Sequence, residues 1–210
     1  MGKTADSSPK QHKAPNVEEV RSCPNQEKVD PRVRRTRKLL YDAFRELIHE
    51  RAFSDISVAD ITERATLNRA TFYAHFEDKG HLASSMVREE LEAMLLERLA
   101  PPAEFGPESV GRVAAGTLDF VGNCLGRCPK NAEQFAASLG MTVQEALERF
   151  FLRWFTYEPD APRRFGRTTP ETLANALAWS LYGAAIRWSR LHDRPDAETA
   201  ARETVEVFFR

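Results

Sequence analysis

The chain has 210 residues, with 30 Lys and Arg against 31 Asp and Glu, a formal net charge of −1. That balance excludes a polycation that would bind nucleic acid over its whole surface, so any such binding must come from a local basic patch. Three cysteines (Cys23, Cys124, Cys128) are too few for a disulfide framework and fit a reducing, cytoplasmic setting.

No apolar signal stretch opens the chain, and the longest uncharged run, Thr172 to Ile186, is shorter than the ~20 residues of a membrane span. No membrane partner is therefore expected. Residues 1–29 are polar, rich in Lys, Pro, Ser, Asn and Gln, and lack apolar periodicity, which predicts a disordered arm. Asp30-Pro31 is a helix start, a cap followed by proline in the first turn. Leu40, Ala43, Phe44 and Leu47 continue that helix to about Arg51, and Phe53 and Ile56 plug the corner after it. Arg32, Arg34, Arg35, Arg37 and Lys38 supply the local basic patch.

The segment from Ser57 to Lys79 reads as two short helices joined by a turn. Ser57 and Asp60 form a capping box. Val58, Ile61 and Ala65 share one face, and Leu67 is the apolar residue of the turn. Asn68 caps the second helix, where Phe72 and Phe76 lie four apart and face inward together. Arg69, Ala70, Thr71, Tyr73, Ala74 and His75 are small, basic or hydrogen-bonding and cluster at its start. A helix-turn-helix needs this division, because its second helix presents N-terminal residues to a major groove.

Asp78 starts a fourth helix along Leu82, Met86, Leu91 and Leu99, ended by Pro101-Pro102. Pro107 opens a fifth, with Val110, Val113, Ala114, Thr117, Leu118, Val121 and Leu125 as its apolar stripe and Cys128-Pro129 as its stop. Asn131 and Gln134 predict a short helix through Phe135 and Leu139 ending at Gly140. Thr142 and Glu145 open a separate one carrying Val143, Ala146, Leu147, Phe150, Phe151, Trp154 and Phe155. A helix from Thr169-Pro170 to about Leu191 is apolar nearly all round, and Asp196 caps a last helix with Ala200, Ala201, Val205 and Phe208. No strand pattern and no fixed-period repeat appear, so the fold class is all-α. The division expected is an arm (1–29), a three-helix domain with the helix-turn-helix (30–78) and a helical bundle (79–210).

Thr36-Arg37, Ala43-Phe44, Phe53, Ile56-Ser57-Val58, Asp60-Ile61, Ala65, the run Asn68 to Phe76 and Asp78-Lys79 resemble the DNA-binding domain of the tetracycline-repressor (TetR) family. The likeness covers about fifty residues and is specific. One position departs: where the family often carries Gly in the turn, this chain has Thr66, and a β-branched residue disfavours positive φ. The resemblance implies a sequence-specific transcriptional regulator, a repressor released from a palindromic double-stranded operator by a small-molecule effector. The alternative is a helical adaptor of the same fold that works through protein contacts without DNA.

The expected DNA-contacting set is Thr36, Arg37, Ser57, Asn68, Arg69, Ala70, Thr71, Tyr73, His75 and Lys79. Arg69 is the base reader, because a guanidinium can grip guanine in a bidentate contact. Thr71, Tyr73, His75 and Lys79 suit phosphates, which set register. A palindrome calls for a homodimer, and the resemblance puts its interface on the last two helices, with Leu173, Leu177, Leu181, Gly183, Trp188, Val205 and Phe208. It also implies an effector pocket, for which Met94, Phe120, Asn123, Phe151, Trp154, Phe155 and Tyr182 are the candidate lining. Cys124 and Cys128 share a helix face, and His75, Glu77 and His81 have metal-like spacing, but neither set makes a site, and neither metal nor cofactor is expected. No phosphate-binding glycine loop, zinc-protease motif or nucleophile elbow occurs, so the chain does not read as an enzyme.

Overall fold

The computed structural model describes residues 30–98, 104–127 and 132–209. The predicted arm, the two proline stops and Asn131 lie outside them. Among the described residues eight helices follow in order: α1 Pro31–Glu50, α2 Val58–Arg64, α3 Arg69–Tyr73, α4 Lys79–Arg98, α5 Pro107–Arg127, α6 Ala132–Tyr157, α7 Pro170–Ser189 and α8 Ala197–Glu206. Short 3-10 turns cover Phe53–Asp55 and Pro162–Phe165. There is no strand among the described residues, and the class is all-α.

The helix starts follow from local chemistry. Asp30 accepts from the Arg32 amide at 2.8 Å, with Pro31 next in the chain. Thr169 and Asp196 likewise accept from the amides three residues on, at 3.2 and 2.8 Å. Each such cap satisfies an amide that the helix leaves orphaned.

α1, α2 and α3 form a small head around Leu40, Phe44, Leu47, Ile56, Ile61, Phe72 and Phe76, all fully buried. α4 leaves this head and packs on α5 and α6; α5 packs on α7 and α8, and α6 on α7.

The helix predicted to stop at Gly140 does not stop. α6 runs unbroken from Ala132 to Tyr157. Gly140 is there for close approach: a Cβ at this position would lie 2.8 Å from the Tyr182 hydroxyl of α7. Glycine signals a helix end only where the backbone turns to positive φ, and among the described glycines that occurs at Gly166, φ 82°, just after the second 3-10 turn.

Candidate nucleic-acid interface

α2 and α3 are joined by a turn that the hydrogen bonds define completely. The Leu67 amide donates to the Thr62 carbonyl at 2.9 Å, and the Thr66 amide donates to the Glu63 carbonyl at 3.0 Å. This is the paired closure of a Schellman motif, whose left-handed position falls on Thr66. Thr66 takes φ 56° there. The turn keeps its usual shape and the threonine carries the strain, at a cost of roughly 1–2 kcal/mol.

Both motif helices are capped as the spacing predicts. Ser57 accepts from the Asp60 amide at 3.2 Å, while Asp60 accepts from the Ser57 amide at 2.8 Å and its hydroxyl at 2.6 Å. These bonds from Ser57, side chain first, hold the Asp60 carboxyl below its ordinary pKa. Asn68 accepts from the Thr71 amide at 2.7 Å and the Thr71 hydroxyl at 2.9 Å. α3 is thereby fixed as a five-residue helix, and together with the residues just after it has two sides. Phe72 and Phe76 point inward at 0% and 1% exposure, their rings 5.8 Å apart. Arg69, Ala70, Tyr73 and Ala74 point outward, and Tyr73 is 58% exposed. His75 is half-buried, its ring 6.4 Å from Phe76.

The remaining members of the predicted set have partners within the chain. The Thr36 hydroxyl donates to the Arg32 carbonyl at 3.0 Å. Arg37 donates to Glu89 of α4 and to the Tyr41 hydroxyl, both at 2.6 Å, and its guanidinium lies 4.7 Å above the Phe76 ring. Tyr41 donates to the same Glu89 oxygen at 3.0 Å; burial, and then the Glu89 charge, push its phenol far above its ordinary range. Arg45 pairs with Glu90, the next residue of α4. Lys79 reaches back from α4 to the carbonyls of Phe53, Ser54 and Ile56. The sequence shows these residues as basic side chains near a reading helix. It does not show that α4 folds back alongside α1 and brings acceptors to Arg37 and Arg45.

The dimer ridge requires correction. Leu173, Leu177, Leu181, Trp188 and Val205 are buried within the chain itself. There, α7 is packed against α5 and α6. The face of α7 left open carries Ala176, Trp179, Ser180, Gly183 and Arg187, with Trp179 46% exposed. Gly183 is on it, and Phe208 is half-buried near the chain end. A helix that is apolar all round does not reveal which side its own chain covers.

The pocket lining is corrected in part. Phe151, Trp154 and Phe155 are buried around Phe105, with ring centroids 6.5, 5.2 and 5.1 Å from it. Phe165 and Phe209 close on the same ring at 6.2 and 5.9 Å. These aromatics are packed core. Phe105 itself is held by both backbone groups: its amide donates to Glu158 at 2.9 Å and its carbonyl accepts from Arg164 at 2.9 Å. Phe105 is not legible as core from the sequence, because it stands alone in a Pro- and Gly-rich connection. Asn123 is exposed, whereas Met94, Phe120 and Tyr182 are half-buried. Two surface grooves of about 340 and 420 Å³ share Pro107, Glu108 and Arg112 at the start of α5, and none of the seven predicted residues lines either.

No cluster of His, Cys, Asp and Glu that could hold a metal exists among the described residues, and no described helix is long and apolar enough to cross a membrane. The Glu77 amide donates to His81 Nδ1 at 3.3 Å. Cys124 is half-buried, and Cys128 lies outside the described residues.

Comparison with known proteins agrees with this geometry. Residues 40–86, which hold the helix-turn-helix, match the family model of bacterial regulatory proteins of the tetR family. An uncharacterized HTH-type transcriptional regulator, YxbF of Bacillus subtilis, is 28% identical over 130 residues, 60% of this chain and 34% of that protein. DhaS of Lactococcus lactis, the transcriptional activator of the dhaKLM operon, is 39% identical over 49 residues, 23% of this chain and 26% of that protein. The matched parts thus span about a third or less of these curated relatives. Among solved structures, the fatty acid degradation regulator FadR of Bacillus halodurans superposes with a TM-score of 0.58 at 12% identity, over 82% of this chain and 94% of that one. A TetR transcriptional regulator from Rhodococcus sp. RHA1 gives 0.55 at 19% identity, over 83% and 96%. Residues 40–86, with the motif and its caps, thus match the tetR-family module, and the all-α frame behind them is a fold shared with these solved structures.

Proposed function

We propose that the chain is a sequence-specific DNA-binding transcriptional regulator that reads a palindromic operator as a two-fold dimer. The observation that carries this reading is the division of α3 and the turn that follows it, residues 69–76. One side is sealed into the core by Phe72 and Phe76, and the other offers Arg69, Ala70, Tyr73 and Ala74 to solvent. A large aromatic left outside beside a basic and two small residues suits a groove partner. Arg69 is assigned the guanine contact, worth about 1–3 kcal/mol of discrimination. Ala70 and Ala74 fit against thymine methyls, and Tyr73 and His75 take phosphates. Asn68 and Thr71 support this surface through the cap they form together.

The dimer is assigned to the open face of α7, centred on Trp179 and Gly183. Doubling the half-site gives a recognition free energy that one short helix cannot reach. The finer reading, a repressor released by a small-molecule effector, rests on the family resemblance; its test is a reporter driven by the recovered operator, with and without the chain.

The primary test is selection of bound fragments from genomic DNA, run in parallel with Tyr73→Ala. Recovery of a palindrome by the wild-type chain and its loss in the variant are expected. Recovery of nothing specific at low salt would overturn the reading in favour of a protein-binding adaptor.

A further inference from the structure

Lys79, the half-buried first residue of α4, directs its ammonium group at carbonyls of its own chain. Its Nζ donates to the carbonyls of Phe53, Ser54 and Ile56 at 2.7, 3.1 and 2.7 Å, and it lies 4.7 Å from the centre of the Phe53 ring. An ammonium has three donors, and three acceptors are in place. The carbonyls belong to the segment that leads directly into Ser57, the cap of α2. The Phe53 ring in turn packs edge-on against Phe44 of α1 at 6.1 Å.

We infer that Lys79 is a positioning residue of the DNA-reading head: it fixes the first turn of α4 to the entry of α2 and makes no contact with operator phosphate. This inference rests on the DNA-binding reading. Recruiting the ammonium to a phosphate would strip partly buried carbonyls of their donor, which is unfavourable. Arginine cannot take the place, because its planar fork does not converge on three carbonyls as an ammonium does. Ten residues further along α4, about 15 Å on, Glu89 holds Arg37 and Tyr41 of α1. With both ties the head has a fixed angle to α4. With the first one cut, it pivots on the second. Sequence-specific binding needs that angle for base contacts, whereas non-specific binding through phosphates does not.

The test has two arms. In the first, the ammonium resonance of Lys79 is followed by 15N NMR in the wild-type chain, free and with the duplex it selects. Slow exchange in the free chain, unchanged by DNA, is expected; a signal that is absent in the free chain and appears with DNA would overturn the inference. In the second, Lys79→Met and Lys79→Arg are titrated against the selected duplex and a scrambled duplex over a range of KCl. The expected result for both variants is a loss of about tenfold or more on the selected duplex, the scale of one base pair's discrimination. Binding to the scrambled duplex should stay within about twofold with the salt slope unchanged. Equal losses on both duplexes, with the slope reduced by about one, would make Lys79 a phosphate contact. A wild-type chain that selects no duplex would sink the DNA reading and this role with it, while a slowly exchanging ammonium in that chain would still show the carbonyl tie.

Discussion

The head and the bundle behind it are built by different means. In the helix-turn-helix of the head, chain neighbours define the caps and the turn: the capping box lies within Ser57 to Asp60, the α3 cap within Asn68 to Thr71, and the turn within Thr62 to Leu67. In the bundle, the defining contacts join distant segments. Phe105 gathers Phe151, Trp154, Phe155, Phe165 and Phe209, and Gly140 exists for Tyr182. A region specified locally can hold a fixed reading surface on few residues. A region specified by distant packing is sensitive to any change in how its helices meet.

The largest expected effect tests whether the bundle core is as full as the head core. Phe72→Ala and Phe105→Ala should each cost about 3–5 kcal/mol, read from urea unfolding midpoints. A loss below about 1 kcal/mol at Phe105 would mean that its surroundings are open, and the contrast with the head would become one of density. Next, Gly140→Ala should cost about 1–3 kcal/mol by overpacking against Tyr182, with partial recovery when Tyr182→Phe is added. Additive losses in that double-mutant cycle would separate the glycine from the tyrosine. In the head, Asn68→Ala should cost about 1 kcal/mol, the ordinary worth of a helix cap, measured by the same unfolding. The smallest effect has the opposite sign. Thr66→Gly should stabilise the chain by up to about 1 kcal/mol, because relief of the left-handed strain exceeds the backbone entropy that glycine adds to the unfolded state. A neutral or destabilising result would place the strain elsewhere.

The same division explains what could be read in advance. The caps of α1, α2, α3, α7 and α8, the inward pair Phe72 and Phe76 and the strained turn were legible because each is written in residues a few positions apart. The break at Gly140 was misplaced because a glycine needed by a tyrosine forty-two positions away looks like a glycine that ends a helix. Leu173, Leu177 and Leu181 were assigned to a partner because periodicity shows that a face is covered, not by which chain. Arg37 and Lys79 read as DNA contacts because their intramolecular acceptors, Glu89 and the carbonyls of the 3-10 turn, become neighbours only once α4 is in place.

The central claim is that the outward side of α3 is the reading surface. It is tested most directly by adding the selected duplex to isotopically labelled protein and mapping which amides shift. The account predicts shifts concentrated on Arg69, Ala70, Tyr73 and Ala74, with the open face of α7 unaffected. Shifts confined to the bundle, with residues 66–75 unmoved, would contradict it.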